Sequence, residues 1–197
     1  MLVLLRHGQS TANRDNIKTG HLNVPLTDLG VDQAEEVRDT YRGYSWDAIF
    51  TSDLERCLET TKRVVGPYHP QETWVLSEEL RERSGGAYEG KSYPELRKML
   101  PPKKYKLWQR DYKAAPPNGE SFLMVENRVI PYAKEHIFPL VNENKNVLVV
   151  THHIPLSVLI GFIKRLNDKQ ILELKIENAM PYVLPYQHID INSKRPR

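Results

Sequence analysis

Three short apolar runs stand out along an otherwise polar chain. They are MLVLL at 1–5, WDAIFTS at 46–52 and NVLVVTH at 146–152, and each is rich in β-branched or aromatic residues. Continuous apolar runs of this length are typical of strands that are buried on both faces of a sheet. We therefore predict three buried strands at these positions.

Each apolar run is followed by a segment with helical periodicity. Thr27 can cap a helix after the first run, Ser52 and Glu55 have the spacing of a capping box after the second, and Pro155 suits a first helical position after the third. The apolar stripe of the first of these helices consists of Val31, Ala34, Val37 and Tyr41. The alternation predicts a three-layer α/β/α fold with a mostly parallel central sheet and right-handed crossovers.

Polar residues are expected where these strands end, at the edge of the sheet where ligands bind in such folds. The segment LRERSGGAYEG at 80–90 adds Glu82 and Arg83 ahead of a glycine-rich loop. The residues that follow the three runs are Arg6 and His7, Ser52 and Arg56, and His152 and His153. We expect these side chains to converge on one crevice.

Arginines, histidines and a single carboxylate are suited to phosphoryl transfer. Guanidinium groups match phosphate oxygens and neutralise the charge that develops on them. Nearby arginines should lower the pKa of His7, whose neutral ring can then attack phosphorus. Glu82 can protonate the departing alkoxide and later deprotonate an incoming alcohol or water. His152 would stabilise the phosphoryl oxygens, and Gly8 would let the backbone approach the phosphate closely.

Each of these residues also has a purely structural interpretation. A histidine at a strand end is most often an ordinary surface or core residue, and Arg56 could pair with Asp53 or Glu59 on its own helix. The functional hypothesis rests on placement, because three separate strand ends supply groups that suit the same ligand.

Composition limits the alternatives. The 197 residues, of which 40% are hydrophobic and 27% charged, suit a single domain over 1–197. The net charge of +3 favours small anions, whereas a nucleic-acid binder should concentrate its basic residues on one face. Arg6 interrupts the first apolar run, and no run approaches the roughly 20 residues that cross a bilayer. With Cys57 as the only cysteine, we expect a cytoplasmic protein that binds neither nucleic acid nor membranes.

Four segments carry a resemblance to a known family. LLRHGQSTANRDNIKTG is similar to an R-H-G-E/Q-S signature with trailing N and T-G, and FTSDLERCLET to a T-S-x-x-x-R-x-x-x-T element. LRERSGGAYEG is similar to E-R-x-x-G-x-x-x-G, and NGESFLMVENRVIPYAKEHIFPLV with NVLVVTH to a G-E-S helix and the strand before a second histidine. Together they resemble the histidine phosphatase superfamily and, within it, the cofactor-dependent (2,3-bisphosphoglycerate-dependent) phosphoglycerate mutases.

The resemblance implies a phosphoglycerate-mutase-like fold and a phosphohistidine at His7, with Glu82 as acid and base. The implied phosphate pocket consists of Arg6, Asn13, Arg56 and His152. Further substrate-binding candidates at matched positions are Thr19, Gly20, Arg83, Arg110 and His153. No metal is required, because arginines supply the positive charge. The expected partner is a small phosphorylated metabolite, with 2,3-bisphosphoglycerate as primer if the protein is a mutase, and a homodimer is expected because dimers are common among mutases.

The chain departs from the mutase pattern at substrate-facing positions. Mutases typically have E-R-H-Y-G where this chain has E-R-S-G-G at 82–86, so Gly85 replaces a tyrosine that normally touches substrate. The paired arginines of W-R-R-S-Y are reduced to Arg110, and Tyr93 aligns with a usual lysine. After His152, the family's H-G-N-S or H-G-G becomes H-H-I-P.

Two enzyme hypotheses and one non-enzyme hypothesis follow. The leading one is a glycolytic isomerase that interconverts 3-phosphoglycerate and 2-phosphoglycerate, because PYAKEHIFPLV and the closing ILELKIENAMPYVLPY look more like mutases than like other members of the superfamily. The second is a metal-independent phosphatase of a small phosphorylated metabolite. A catalytically silent binding relative is disfavoured by the intact Arg6, His7, Arg56, Glu82 and His152.

A basic and aromatic stretch at about 91–119 is bracketed by prolines, which predicts a discrete lid-like insertion. The alternatives are a solvated helix with snorkelling lysines or a nucleic-acid surface, and no nucleic-acid module accompanies it. The tail NSKRPR at 192–197 is the other candidate lid.

Overall fold

A mostly parallel sheet forms the centre of the protein, whose computed structural model describes residues 1–186 and 188–196. The strands in this part of the chain are β1 (Leu2–Arg6), β2 (Ala48–Ser52), β3 (Trp74–Ser77), β4 (Val147–Thr151) and β5 (Tyr182–Leu184). Their spatial order is β3-β2-β4-β1-β5, and β5 alone among the described strands runs antiparallel to its neighbour. The predicted sheet is confirmed, and its three predicted strands are β1, β2 and β4.

Helices connect the strands and pack on both faces of the sheet. They are α1 (Thr11–Arg14), α2 (Asp28–Thr40), α3 (Glu55–Val65), α4 (Tyr93–Met99), α5 (Pro102–Arg110), α6 (Phe122–Tyr132), α7 (Phe138–Asn142), α8 (His153–Ile163) and α9 (Asp168–Leu172). Short 3₁₀ turns lie at Gln71–Thr73, Glu78–Leu80 and Gly86–Tyr88, and a π turn at Ala133–Ile137 joins α6 to α7.

Successive residues of each central strand belong to different cores, because side chains alternate across a sheet. Leu2 and Leu4 of β1 pack in the core that contains residues of α6 and α8. Val3 and Leu5 pack in the core that contains residues of α2 and α3. The three-layer arrangement is therefore confirmed, and it explains why the buried strands are apolar up to the polar residues at their carboxyl ends.

Local signals at the helix starts were predicted with mixed success. Thr27 caps α2 as predicted, since its side chain accepts a hydrogen bond from the Gly30 N–H. The capping box predicted at Ser52 and Glu55 is wrong, because the residue that precedes α3 is Leu54 and it makes no side-chain cap. Ser52 is instead the last residue of β2, where its hydroxyl lies 2.9 Å from Nε2 of His152.

Gly8 has a structural role besides the predicted one, which stays a prediction. A Cβ atom at Gly8 would overlap the carbonyl oxygen of Gly30, and one at Gly30 would overlap the carbonyl oxygen of Gln9. The pair of glycines therefore lets the first turn of α2 lie directly against the loop that follows β1.

Helices α4 and α5 carry a small core of their own, built from Tyr88, Leu96 and Trp108. This core occupies much of the stretch predicted to be a lid-like insertion. In the described ranges, no helix is long and apolar enough to cross a membrane.

Candidate active site

A polar cavity of about 410 Å³ lies at the carboxyl end of β1, where residues that follow β2 and β4 also meet. It brings together most of the site residues predicted from the sequence. Those that line it are Arg6, His7, Asn13, Thr19, Arg56, Glu82, Arg83 and His153. Gly20 and His152 do not line the cavity but contact residues that do, namely Arg56 and His7. Arg110 lies outside the cavity.

His7 is held in a defined tautomer. Its Nδ1 lies 2.7 Å from the carbonyl oxygen of Gly8, which can only accept a hydrogen bond, so Nδ1 carries the proton. Burial, followed by the charges of Arg56 and Arg6, moves the pKa of His7 well below its ordinary value. The ring is therefore neutral, with an unprotonated Nε2.

His152 packs against His7 rather than lining the cavity wall formed by the described residues. The two ring centroids are 5.1 Å apart in an edge arrangement. The Nε2 atom of His152 lies 2.9 Å from Ser52 Oγ and 3.3 Å from Cys57 Sγ. Burial and the charge of Arg56 lower the pKa of His152, so this ring is neutral as well.

Two arginines beside His7, of which Arg56 is buried and Arg6 half-buried, are held by backbone carbonyls. Arg56 donates to the carbonyl oxygens of Leu22 and Gly20, both at 2.9 Å, and Arg6 donates to the carbonyl oxygen of Ile176 at 2.7 Å. Within residues 1–186 and 188–196, neither guanidinium forms a salt bridge with a carboxylate, and Arg6 Nε has no hydrogen-bond partner. Both cations are therefore fixed in place with charge left to bind an anion.

Gly20 shapes the loop that orients Arg56. Its φ of +52° lies in the left-handed region, and a Cβ atom there would overlap the carboxylate of Glu89. The predicted site residue thus contributes a backbone carbonyl to Arg56 and does not itself line the cavity.

Glu82 is fixed by its backbone, which leaves its carboxylate at the cavity. Its carbonyl oxygen accepts hydrogen bonds from Arg128 at 3.1 Å and from His21 at 2.8 Å. Arg128 is itself paired with Glu120 at 2.8 Å. Burial raises the pKa of the Glu82 carboxyl, but Lys18, His153 and the Arg83 N–H together outweigh it, so the pKa lies below its ordinary value.

Arg83 lies against two aromatic rings, with its guanidinium carbon 4.9 Å from the centroid of Phe122 and 5.6 Å from that of Trp108. Its Nε and Nη1 atoms are buried and have no hydrogen-bond partner in the described part of the chain. Its side chain is thus available to an anionic ligand.

Two residues of the site were missed by sequence reasoning. Lys18 lines the cavity although it is a lysine, a residue type that is almost always exposed. Asn178 donates to the carbonyl oxygen of His7 at 2.8 Å and to Asn13 Oδ1 at 3.2 Å. The signal that could have indicated Lys18 is its position between Asn13 and Gly20 in the signature segment, whereas nothing in the local sequence marks Asn178.

Arg110 and the tail do not reach this cavity. Trp108 of α5 is buried, and Arg110 lies two residues further along the helix, which places it on the opposite, exposed side. It borders a separate surface depression with Lys169 and Glu173. In the tail, Arg195 binds Glu126 and Asp168 instead of covering the site, and Arg197 lies outside the described residues.

The family follows from comparison with known proteins. A model of the histidine phosphatase superfamily (branch 1) matches residues 2–195. The chain belongs to this superfamily. A 2,3-bisphosphoglycerate-dependent phosphoglycerate mutase from Chlamydia felis is 35% identical to it, over 92% of each chain. This confirms the resemblance that the sequence motifs predicted.

Solved structures of histidine phosphatase superfamily members share the fold. A mycobacterial glucosyl-3-phosphoglycerate phosphatase complexed with VO3 matches with a TM-score of 0.81 and 26% identity, over 91% of this chain and 90% of that one. An alpha-ribazole phosphatase from Shigella flexneri matches with a TM-score of 0.75 and 27% identity, over 91% and 87% of the two chains. The superfamily member described here is thus an enzyme whose relatives include both mutases and phosphatases.

Proposed function

We propose that the protein transfers phosphoryl groups through a phosphohistidine at Nε2 of His7. The observation that carries this proposal is the hydrogen bond from His7 Nδ1 to the Gly8 carbonyl, because it leaves the Nε2 lone pair free at a cavity that also presents Arg6 and Arg56. A neutral imidazole between two fixed cations is a nucleophile beside an anion-binding site.

The first half-reaction is phosphorylation of His7. Arg6 and Arg56 bind the non-bridging oxygens of the substrate phosphoryl group, and Nε2 of His7 attacks phosphorus as the bond to the ester oxygen breaks. Glu82 gives its proton to the departing ester oxygen, which leaves as an alcohol. The low pKa of Glu82 belongs to the ligand-free site. A bound phosphoryl dianion raises it, because a like charge nearby favours the protonated carboxyl.

The second half-reaction returns the phosphoryl group to an acceptor. The Glu82 carboxylate removes the proton from an incoming hydroxyl, whose oxygen attacks phosphorus while the bond to His7 Nε2 breaks. His152 is the proposed further stabiliser of the phosphoryl oxygens. If Ser52 donates to its Nε2, the Nδ1–H of His152 remains as a donor.

The acceptor that we propose first is the free hydroxyl of 3-phosphoglycerate, which takes the phosphoryl group from His7 and becomes 2,3-bisphosphoglycerate. Its 3-phosphoryl group then returns to His7 and 2-phosphoglycerate leaves, so that the enzyme is a phosphoglycerate mutase. Mutase relatives at 35% identity over nearly the whole chain support this choice. The primer of such a mutase is 2,3-bisphosphoglycerate, which supplies the phosphoryl group that His7 carries. The residues suit this polyanion, because Arg6 and Arg83 both have buried nitrogen atoms without a partner among the described residues.

The second candidate is a phosphatase, in which the acceptor is water. It is favoured by the structural similarity to phosphatases and by Gly85, which stands where mutases have a substrate-contacting tyrosine. A mutase must exclude water while its substrate reorients, and we propose that α4 and α5 act as the lid that decides between the two reactions.

The experiment incubates the protein with 3-phosphoglycerate and 2,3-bisphosphoglycerate in the presence of a metal chelator, and follows 2-phosphoglycerate and free phosphate. Isomer without phosphate is expected for the mutase, and phosphate alone for the phosphatase. The phosphoenzyme is detected separately, as an acid-labile phosphate on His7 by mass spectrometry.

The His7→Ala variant should lose both products and the phosphoenzyme, because it lacks the nucleophile. His136→Ala is the matched control, since His136 is exposed and distant in sequence from the cavity-lining residues. Full activity in His7→Ala would disprove the mechanism.

A further inference from the structure

Lys18 is a buried lysine whose ammonium group has N–H donors that the hydrogen bond to Arg83 does not use. Its side chain lines the cavity, its residue is only 7% exposed, and its Nζ donates to the carbonyl oxygen of Arg83 at 3.2 Å. An ammonium group has three N–H donors, so this bond leaves two of them for other acceptors. Burying a lysine costs free energy unless its charge is compensated. A buried lysine that lines a cavity therefore indicates an anionic ligand.

Arg83 extends the same positive region. Its backbone carbonyl accepts a hydrogen bond from Lys18, while its guanidinium packs against the rings of Phe122 and Trp108. Two of its buried nitrogen atoms have no partner in the described ranges. Because buried N–H groups are almost always paired in folded proteins, these two indicate a ligand acceptor.

Gly85 makes room for the lysine stem. A Cβ atom at position 85 would lie 3.1 Å from both Cγ and Cε of Lys18, and 2.8 Å from Cγ of Glu89. The backbone does not require glycine here, because the φ of Gly85 is −84°. A side chain at position 85 would therefore press on the side chain of Glu89 and on the stem of Lys18, and both would have to shift to make room for it.

The cavity carries more positive charge than a single phosphoryl group neutralises. Among the described lining residues, one carboxylate, that of Glu82, faces four cationic side chains. These are Arg6, Lys18, Arg56 and Arg83. A phosphomonoester dianion neutralises two of the three surplus positive charges. The remaining positive charge matches a second anionic group on the same ligand.

We propose that Lys18 and Arg83 form a second anion-binding subsite, which binds a carboxylate or second phosphate carried by the phosphorylated substrate. The proposal rests on the proposed function, since it takes the phosphoryl group to lie at His7, and it narrows the substrate class to phosphomonoesters that bear another anion. Lys18 is then a specificity-determining residue in place of Arg110, which lies outside the cavity.

The test compares two ligands that differ in this second group alone. 3-Phosphoglycerate has a carboxylate where glycerol 3-phosphate has a hydroxymethyl group. Their dissociation constants are measured by calorimetry on His7→Ala, which prevents turnover. We expect 3-phosphoglycerate to bind at least ~10-fold more tightly, as a charge-assisted hydrogen bond provides. Lys18→Met in the same background should bring the two affinities close together.

Two further variants keep the result interpretable. Lys104→Met, at an exposed lysine of α5, should leave the preference unchanged. Gly85→Ala should reduce the preference partially, because its methyl group displaces the Lys18 stem without removing the charge. Equal affinities for the two ligands, or a preference that survives Lys18→Met, would overturn the subsite. Failure of the proposed function appears separately, as a wild-type protein that forms no phosphohistidine.

Discussion

Two groups of arginines in this protein, one at the tail and one at the cavity, are stabilised in opposite ways. Arg195 binds both carboxylate oxygens of Glu126 and one of Asp168, and its guanidinium carbon lies 4.7 Å from the ring centroid of Tyr112. Arg6 and Arg56, at the cavity, donate to backbone carbonyls instead. The first group is electrically complete within the protein, and the second is completed by a ligand.

The contrast distinguishes arginines that hold the fold together from arginines whose charge is available to a ligand. A buried guanidinium with carboxylate partners joins elements, here the tail, α6 and α9, and removing it takes a cationic partner away from each of those carboxylates. A buried guanidinium that binds only dipoles keeps its full charge for an incoming anion, and the fold bears the cost of desolvating it. The shift in pKa follows the same division, because burial lowers the pKa of Arg56 whereas Glu126 and Asp168 outweigh burial and raise that of Arg195.

The largest expected effect is on catalysis at the cavity. Arg56→Met should lower kcat/KM for phosphoryl transfer by ~10³-fold or more, since it removes a cation from the transferring phosphoryl group. The melting temperature should change much less, because no carboxylate loses a partner in the described part of the chain. Phosphoenzyme formation checks the expected loss of catalysis, and thermal unfolding of the same preparation checks the expected small change in melting temperature. A loss of stability with normal catalysis would reverse the assignment.

The next effect is on stability at the tail. Arg195→Met should reduce the free energy of unfolding by ~3 kcal/mol, because the buried Glu126 and the half-buried Asp168 would each lose a cationic partner. Chemical denaturation measures it, and Arg165→Met, which breaks an exposed pair with Asp190, should cost no more than ~1 kcal/mol. Activity of the folded Arg195→Met protein at low temperature should stay near that of the wild type. If the folded Arg195→Met protein had lost most of its activity at low temperature, Arg195 would be part of the active site instead.

The smallest expected effect is a pH dependence of ligand preference. Burial, partly offset by Glu82, lowers the pKa of Lys18 to about 8, and the other charges that act on it are Arg83, Arg56 and Glu89. Lys18 is charged below this pKa and neutral above it, although a bound anion shifts the transition upward. The ~10-fold preference for 3-phosphoglycerate over glycerol 3-phosphate should therefore be present at pH 7 and decline by pH 9.5. Calorimetry at both pH values tests this, and a constant preference would contradict it.

The sheet was predictable only where its strands are buried on both faces. β1, β2 and β4 are apolar at almost every position, which the sequence makes plain. β3 lies at an edge with Val75 and Leu76 exposed, and β5 has three residues at the other edge, so neither forms a distinctive apolar run. Edge strands owe their conformation to a neighbour that is distant in sequence.

Site residues were predictable where a motif places them on a strand end, as for Arg6 and His7. Lys18 could not be recognised as buried, because its burial depends on the space left by Gly85, far away in the chain. Arg110 was misplaced for the opposite reason, since a matching motif does not fix the direction in which a helix turns its side chains.

The support given by Asn178 to the backbone of His7 has a consequence for how the enzyme is made. The two residues are 171 positions apart, so at synthesis rates of about 5–20 residues per second the ribosome needs roughly 10–30 seconds to supply the second after the first. During that interval the nascent chain contains His7, the proposed nucleophile, without the Asn178 amide that binds its carbonyl oxygen. The hydrogen bond from Asn178 to the backbone of His7 can thus form only after nearly all of the chain has been translated.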